Sequence, residues 1–409
     1  MGGSAEAVRV ALLTYRGNPR SGGQGVYTRH ISRALTRLGH HVEVFSGPPY
    51  PDLDPCVPLT RLESLDLYRA EAPFRPARAP RSAVDLLELA TMCVGGFPEP
   101  LTFSLRAWGE LRRRRAEFDV VHDNQCLAYG VLGIRREGLP VLASIHHPIH
   151  IDRKLELAHA TGTRRLSLRR WYAFTRMQAR VARRLPIVTV STSSREDIVR
   201  EMGVPAGQVS IVPLGVDADV FRPLPEHPRT PGRILVTTSA DVPLKGLAPM
   251  LRAFAVLRAR RPAELVIVGQ PRTDGPIPGL LDELALNGSV RFTGPIRDQE
   301  LVRLYAEAEA AVVPSLYEGF SLPAVEAMAC GLPLVATTGG ALPEVVGDSG
   351  VLVPPGDPQA LADQLTALLA DAGLRRALGE RGRQRVLGRF TWEATARATV
   401  ERYREVMGC

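Results

Sequence analysis

Residues 311–331 read AVVPSLYEGFSLPAVEAMACG. The first three are apolar and mostly β-branched, the mark of a buried strand, and Pro314 with Ser315 ends the run. A loop follows, then Pro323, which suits the first helical position because it has no N–H to lose there. Residues 324–329 are helix formers, and Gly331 is placed to stop the helix. Strand, loop and helix N-terminus thus follow one another, and the free N–H groups of such a terminus favour an anion or a hydroxyl-bearing ligand. Two carboxylates frame it, Glu318 in the loop and Glu326 early in the helix. On one continuous helix they would stand about 12 Å apart; with the loop between them, both can face one ligand from different sides. A carboxylate accepting two hydrogen bonds reads the vicinal hydroxyls of a sugar or a ribose. The plain alternative is that Glu318 caps the helix dipole and Glu326 is solvated.

The same alternation extends upstream. ILVTTSA (234–240) reads as a strand, DVPLKG (241–246) as a loop, 247–259 as a helix and LVIVG (265–269) as a strand. Lys245 stands out because almost every other basic residue is arginine. At a loop–helix junction a lysine can neutralise a diphosphate as a point charge, or it can be an ordinary surface lysine. VRFTG (290–294) is a short strand, and 298–308 a helix leading back to the opening stretch.

The first half has its own pattern. Residues 8–15 form an apolar strand, followed by Gly22, Gly23 and Gly25 in a loop, a helical pattern closed by Gly39, and a second strand at 42–45. The glycine loop lies at the carboxyl end of the first strand, where open α/β sheets bind ligands. It is not G-x-G-x-x-G, and no acidic residue clearly follows about 20 residues on, so a dinucleotide oxidoreductase is disfavoured. FDVVHDN (118–124) and LPVLASIHH (139–147) are two more strands, the latter delivering His146 and His147 to its end. With His150 these histidines raise the question of zinc, but no fourth ligand is evident and no metal site is expected. Residues 82–94 look helical and apolar on one side, with Asp85 and Glu88 on the other. They suit ordinary packing, a lid, an acceptor surface or a membrane-facing helix. Residues 166–185 read as one long basic amphipathic helix, and the proline-rich 217–232 as an interdomain linker.

At 409 residues the chain has room for two domains. The expected division is 1–216, the linker 217–232, 233–387, and a C-terminal helix at 388–409 crossing back to the first domain. Two α/β halves of this kind suggest two Rossmann-like domains facing across a cleft. Five scattered cysteines without a C-x-x-C read as reduced thiols. No apolar run spans a membrane and the N-terminus lacks a signal-peptide layout, so a cytoplasmic location is expected. The net charge of +8 is uneven, about +10 over residues 1–216 and about −2 beyond. That asymmetry is compatible with solvated arginine faces, an anionic acceptor, or peripheral contact with the anionic inner face of a membrane. No nucleic-acid reading module accompanies it, so nucleic acid is not an expected partner.

EGFSLPAVE (318–326) with AMACGLPLVA after it resembles the E-x7-E region of retaining GT-B glycosyltransferases of the family 4 type. G-G-x-G followed by a helix and G-H-x-V resembles the opening of their N-terminal domain, and K-G at 245–246 their phosphate-binding region. Gly339, Gly340, Pro343, Glu344 and GVLVPPGD follow in that family's order. The resemblance covers most of the chain apart from residues 47–115 and 148–185. It implies the GT-B α/β fold and transfer of a hexosyl-type group, with retention, from a nucleotide diphosphate sugar. The base and sugar of the donor stay open, with a UDP-sugar the first expectation and a GDP-sugar an alternative; no further cofactor and no metal is expected to be required.

By resemblance the catalytic set is His146, Lys245 and Glu318. The donor set is Gly22, Gly23, Ser239, Lys245, Glu318, Gly319, Phe320, Ser321, Leu322 and Glu326. Glu318 would hold sugar hydroxyls, Glu326 the ribose, and His146 the sugar. The chain departs from the family at Ser239 and Ala240, where a G-R pair is usual, so one of the two usual phosphate cations is missing: either Arg16, Arg20 or another arginine replaces it, or the diphosphate is held differently. An epimerase or hydrolase using the same donor, or a non-catalytic nucleotide-sugar binder, would share these residues. No motif names the acceptor or the oligomeric state.

Overall fold

The computed structural model describes residues 6–18, 23–69, 72–238 and 242–408. Gly22, Ser239, Ala240 and Arg20 of the sequence reading lie outside these. The chain forms two compact units. The first comprises residues 1–190, 194–212 and 395–409, and the second residues 191–193 and 213–394.

In the first unit the strands are β1 (Arg9–Thr14), β2 (His41–Ser46), β3 (Leu59–Arg61), β4 (Val120–Asn124), β5 (Val141–Ile145), β6 (Ile187–Thr189) and β7 (Val209–Ile211). They lie in the order β3-β2-β1-β4-β5-β6-β7, every pairing parallel. The second unit contains β8 (Arg233–Thr237), β9 (Glu264–Val268), β10 (Val290–Phe292), β11 (Ala310–Val313), β12 (Leu334–Thr337) and β13 (Val351–Val353). Their order is β10-β9-β8-β11-β12-β13, again all parallel. Both sheets share one doubly wound topology in which strand order reverses beside the first strand, so ligand crevices are expected at the carboxyl ends of β1/β4 and of β8/β11.

The central strands β4, β5, β11 and β12 are buried along their whole length, the reason β11 reads as an unbroken apolar run instead of an alternating one, and the polar end of β4, His122 to Asn124, is buried with them. Each unit has its own core, and in the first the C-terminal helix Trp392–Met407 contributes Tyr403, which is fully buried. Tyr403 meets the Nδ1 of buried His122 at 2.7 Å, while the other ring nitrogen meets Ser144 Oγ at 2.5 Å. Burial holds this imidazole down at about 3, so it is a neutral structural bridge and not a titrating group.

Two helices differ from their sequence reading. Residues 166–185 are not one helix but two, Gly162–Trp171 and Phe174–Ala182. The first buries none of its residues, whereas the second buries Met177, Val181 and their neighbours against the core. Tyr172, whose hydroxyl donates to Glu156 Oε1 at 2.7 Å, sits at the break between these two environments.

The helix Ala83–Cys93 forms where expected, capped by Ser82 Oγ accepting from Asp85 N–H at 3.1 Å, but it is turned over. Asp85 and Glu88 are its buried residues, both 1% exposed, while Leu86, Leu87 and Val94 face solvent. Arg106 donates to both carboxylates, at 2.7 and 2.5 Å, and Arg78 adds two bonds to Asp85 at 2.9 and 3.1 Å. Burial alone would push the Asp85 carboxyl up; the bonds from Arg78, the Arg81 N–H and Arg106 outweigh it and hold the group well below the usual carboxylate range. The ion pairs, not the apolar stripe, therefore decide which face is inward.

Candidate active site

The second unit assembles most of the predicted residues at its strand-order reversal. β11 ends at Val313, and the following loop carries Ser315 and Glu318 before the helix Leu322–Ala329. Pro323 occupies the second helical position, and Gly331, at φ 67°, lets the chain turn away while Leu332 N–H closes on Ala327 O at 3.0 Å. Lys245 follows β8. Its Nζ donates to Glu318 Oε1 at 2.8 Å, and Ser315 Oγ donates to the same oxygen at 2.7 Å. Glu318 is buried and Lys245 keeps about a third of its side chain in solvent, so the ammonium is the open face of the pair. Lysine and glutamate, read separately in the sequence, are one ion-paired unit here.

Two glycines make that pairing sterically feasible. Gly246 stands at φ 69° with its α-carbon pressed on the backbone after β11; a Cβ there would lie 1.9 Å from Pro314 O. Gly340, at φ 63°, approaches from the other side, where a Cβ would lie 2.2 Å from Glu318 O, the carbonyl that accepts from Ala341 N–H at 2.8 Å. Gly246→Ala is therefore expected to cost about 3 kcal/mol or more of stability, from a left-handed backbone plus a clash with main chain that cannot yield. Calorimetry should show the melting temperature lowered by several degrees; an unchanged value would mean the loop does not hold this geometry.

Glu318 does not cap the helix. The N-cap is Ser321, at φ 87° and ψ 83°, and its side chain does not cap these N–H groups. Ser321 is buried, yet among the described residues its Oγ has no hydrogen-bond partner. Thr238, just past β8, the strand beside β11, is the same: a buried hydroxyl without a partner among the described residues. A buried hydroxyl left unpaired costs free energy unless something binds it. Gly319 and Phe320 lead into this cap, with Phe320 buried against Phe390 at 5.7 Å between ring centroids, and Leu322 opens the helix.

Glu326 has different partners. The hydroxyl of buried Tyr305 donates to its Oε2 at 3.2 Å and also lies 3.2 Å from Thr237 Oγ1. Burial pushes the Glu326 carboxyl up to about 7, with the Tyr305 hydrogen bond opposing and Asp298 adding to the rise. Glu326, half-buried, is thus not freely solvated and not fully ionised at neutral pH.

In the first unit, Gly23 is at φ 71° and begins the helix Gln24–Arg37. His146 follows β5 directly. Its Nε2 lies 2.9 Å from Asn124 Oδ1, and the Asn124 amide nitrogen donates to Thr28 Oγ1 at 3.1 Å and Gln24 O at 3.3 Å. Those two donations orient the amide, so Nε2 of His146 carries the proton and Nδ1 is left as an acceptor. Burial holds the ring down at about 4, hence neutral, with Tyr27 against it at 4.4 Å between centroids. Gln125, at φ 59°, clasps the turn: its Oε1 accepts from His146 N–H at 2.8 Å and its Nε2 donates to His147 O at 2.7 Å. His147 pairs with Asp152 at 3.1 Å. Among the described residues no group of three His, Cys, Asp or Glu side chains could hold a metal.

Arg16, a candidate replacement cation, lies 3.4 Å from Glu99 in the first unit. Asn124, Gln125 and Tyr305 went unassigned in the sequence. The polar run HDNQ closing a buried strand was the signal for the first two, and nothing local pointed to Tyr305.

Residues 21–220 match the family model described as Glycosyltransferase Family 4, and residues 232–371 match the one described as Glycosyl transferases group 1. The chain is 49% identical over 407 residues, 98% of each chain, to the MMP α-(1→4)-mannosyltransferase of Mycolicibacterium hassiacum. This chain belongs to the family 4, group 1 glycosyltransferases. This glycosyltransferase is also 32% identical over 423 residues to the D-inositol 3-phosphate glycosyltransferase of Thermobispora bispora, covering 98% of this chain and 94% of the relative. Among solved structures, sucrose-phosphate synthase from Thermosynechococcus elongatus matches with a TM-score of 0.70 at 26% identity, over 98% of this chain and 99% of that one. Both parallel-sheet units are those of a GT-B glycosyltransferase, as the sequence resemblance implied.

Proposed function

We propose that this glycosyltransferase moves a mannosyl group from a nucleotide diphosphate sugar to a saccharide hydroxyl, with retention at the anomeric carbon and without a metal. The observation that carries the donor site is the helix N-terminus at Ser321, whose buried hydroxyl has no partner among the described residues, beside a glutamate held by an outward-facing lysine. Lys245 and the N–H groups at 319–322 would meet the charge developing on the leaving diphosphate. Glu318 and Ser321 would read sugar hydroxyls, and Glu326, ionised, would accept from the ribose. His146 Nδ1 would accept from a substrate hydroxyl. The mannosyl group and the α linkage rest on likeness to the M. hassiacum relative.

Retention is supported by what these side chains are already doing. Glu318 is ion-paired, Glu326 is bonded to Tyr305, and burial holds His146 down at about 4, which leaves its Nδ1 a weak base. None is a ready general base for an acceptor on the opposite face. A leaving phosphate that deprotonates the acceptor on its own face needs none.

Thermal shift with a panel of nucleoside diphosphates and their sugars tests the donor site. A ligand at 100 times its dissociation constant should stabilise by about 2.7 kcal/mol. Stabilisation by one nucleotide series would support the reading, and no shift with any member would sink it. Product analysis with and without a mannoside acceptor then separates transfer from hydrolysis or epimerisation.

A further inference from the structure

The helix Ala83–Cys93 has an orientation that the catalytic residues do not explain. Its solvent face carries Ala83, Leu86, Leu87, Ala90, Cys93 and, at the cap, Val94, a spacing of three and four that makes one continuous stripe. Leu86 is 60% exposed and Val94 66%. Rotating the helix to bury the stripe would expose Asp85 and Glu88 and break their bonds to Arg78 and Arg106. The stripe is therefore locked outward, unlike a leucine that a local repacking could cover.

A basic element adjoins it. The Gly95–Gly96 turn ending the helix lies against Arg170, so that a Cβ at Gly95 would meet its side chain at 3.9 Å. Arg170 belongs to Gly162–Trp171, which buries nothing and exposes Arg164, Arg165, Arg169 and Arg170 together with Leu166, 51% exposed. An aromatic cluster joins the two helices: Trp171 packs on Phe97 at 5.1 Å and on Tyr68 at 5.4 Å, and Tyr68 meets Phe74, itself 60% exposed, at 5.9 Å.

We propose that the Ala83–Cys93 stripe and the arginines of Gly162–Trp171 form one docking surface for an anionic lipid bilayer. The leucines and Val94 enter the boundary between headgroups and acyl chains, and the arginines pair with lipid phosphates around them. The positive rim argues for this occupant over a second copy of the chain, whose own rim would repel it. Among the described residues no helix is long and apolar enough to cross a membrane, so the contact is peripheral.

Co-sedimentation of the full chain with vesicles of phosphatidylcholine, alone or mixed with phosphatidylglycerol, tests it. Binding is expected to the mixed vesicles only, and to weaken about tenfold or more in high salt and in Arg169→Glu/Arg170→Glu. The solvent-facing Leu86→Glu/Leu87→Glu should lose binding while its circular dichroism and melting temperature stay at wild-type values. Failure to bind mixed vesicles, or binding unchanged in Leu86→Glu/Leu87→Glu, overturns the proposal. So does a dimer in sedimentation velocity that this variant abolishes, since the stripe would then be covered by a second copy.

Discussion

Lys245→Ala is expected to lower kcat/KM by roughly 10²–10³-fold, the usual scale for removing one preorganised charge stabiliser from a transfer site. Two losses combine. The diphosphate loses a positive charge, and Glu318, buried and 2.8 Å from the missing ammonium, keeps only the Ser315 hydroxyl at 2.7 Å. A carboxylate left without its counter-charge then repels the donor it should help to hold. The coupling makes a sharper test than the single variant. Glu318→Gln added to Lys245→Ala should restore part of the nucleotide affinity that Lys245→Ala removes, because the stranded charge is gone. Initial rates and nucleotide titrations on the two single variants and the double variant measure this. Strict additivity would show that lysine and glutamate act on separate parts of the substrate, and a rate loss under tenfold would remove Lys245 from the machinery.

Glu326→Gln should stabilise the protein and weaken its donor binding at once. The carboxyl rises from an ordinary 4.5 to about 7 in the fold. Between those values the folded chain holds a proton that the unfolded chain has released, so this group's contribution to stability falls as pH rises through the window. Above it, the ionised side chain costs roughly 1–3 kcal/mol. Glutamine keeps the shape and carries no charge. The variant's melting temperature should therefore exceed wild type by a few degrees near pH 8, with the gap closing near pH 5. Nucleotide affinity should move the other way, dropping about tenfold or more with the charged acceptor gone. In wild type it should fall as pH drops through about 7, a dependence that Glu326→Gln abolishes. A gap in melting temperature that does not vary with pH would mean the burial of Glu326 is not what raises its pKa.

Much of this architecture was legible because its signals are local. Buried parallel strands are largely apolar on both faces, so β5, β11 and β12 stand out as short, mostly apolar runs. The break that ends each run places the residues after it, Glu318 and His146 among them, at the end of the sheet where ligands bind. The helix Ala83–Cys93 was legible as a helix but not in its facing. Periodicity marks two faces, and the assumption that the apolar one packs inward fails when arginines from elsewhere in the chain pair with the acidic one. The single helix read over 166–185 failed for a related reason, since its two halves share a period but not an environment.

From residue types and spacing alone, this chain declared two α/β units and a helix N-terminus built for a polar ligand, and the family resemblance added the members of the candidate site one by one. Tertiary structure decided how those members are coupled. Lys245 and Glu318 stand 73 positions apart, and only the adjacency of β8 and β11, with Gly246 thin enough to lie on Pro314, makes them a pair. Tyr305 reaches Glu326, and Asn124 sets the proton of His146, through contacts between separate elements. Charge, tautomer and pKa depend on distance and burial, and a linear pattern carries neither.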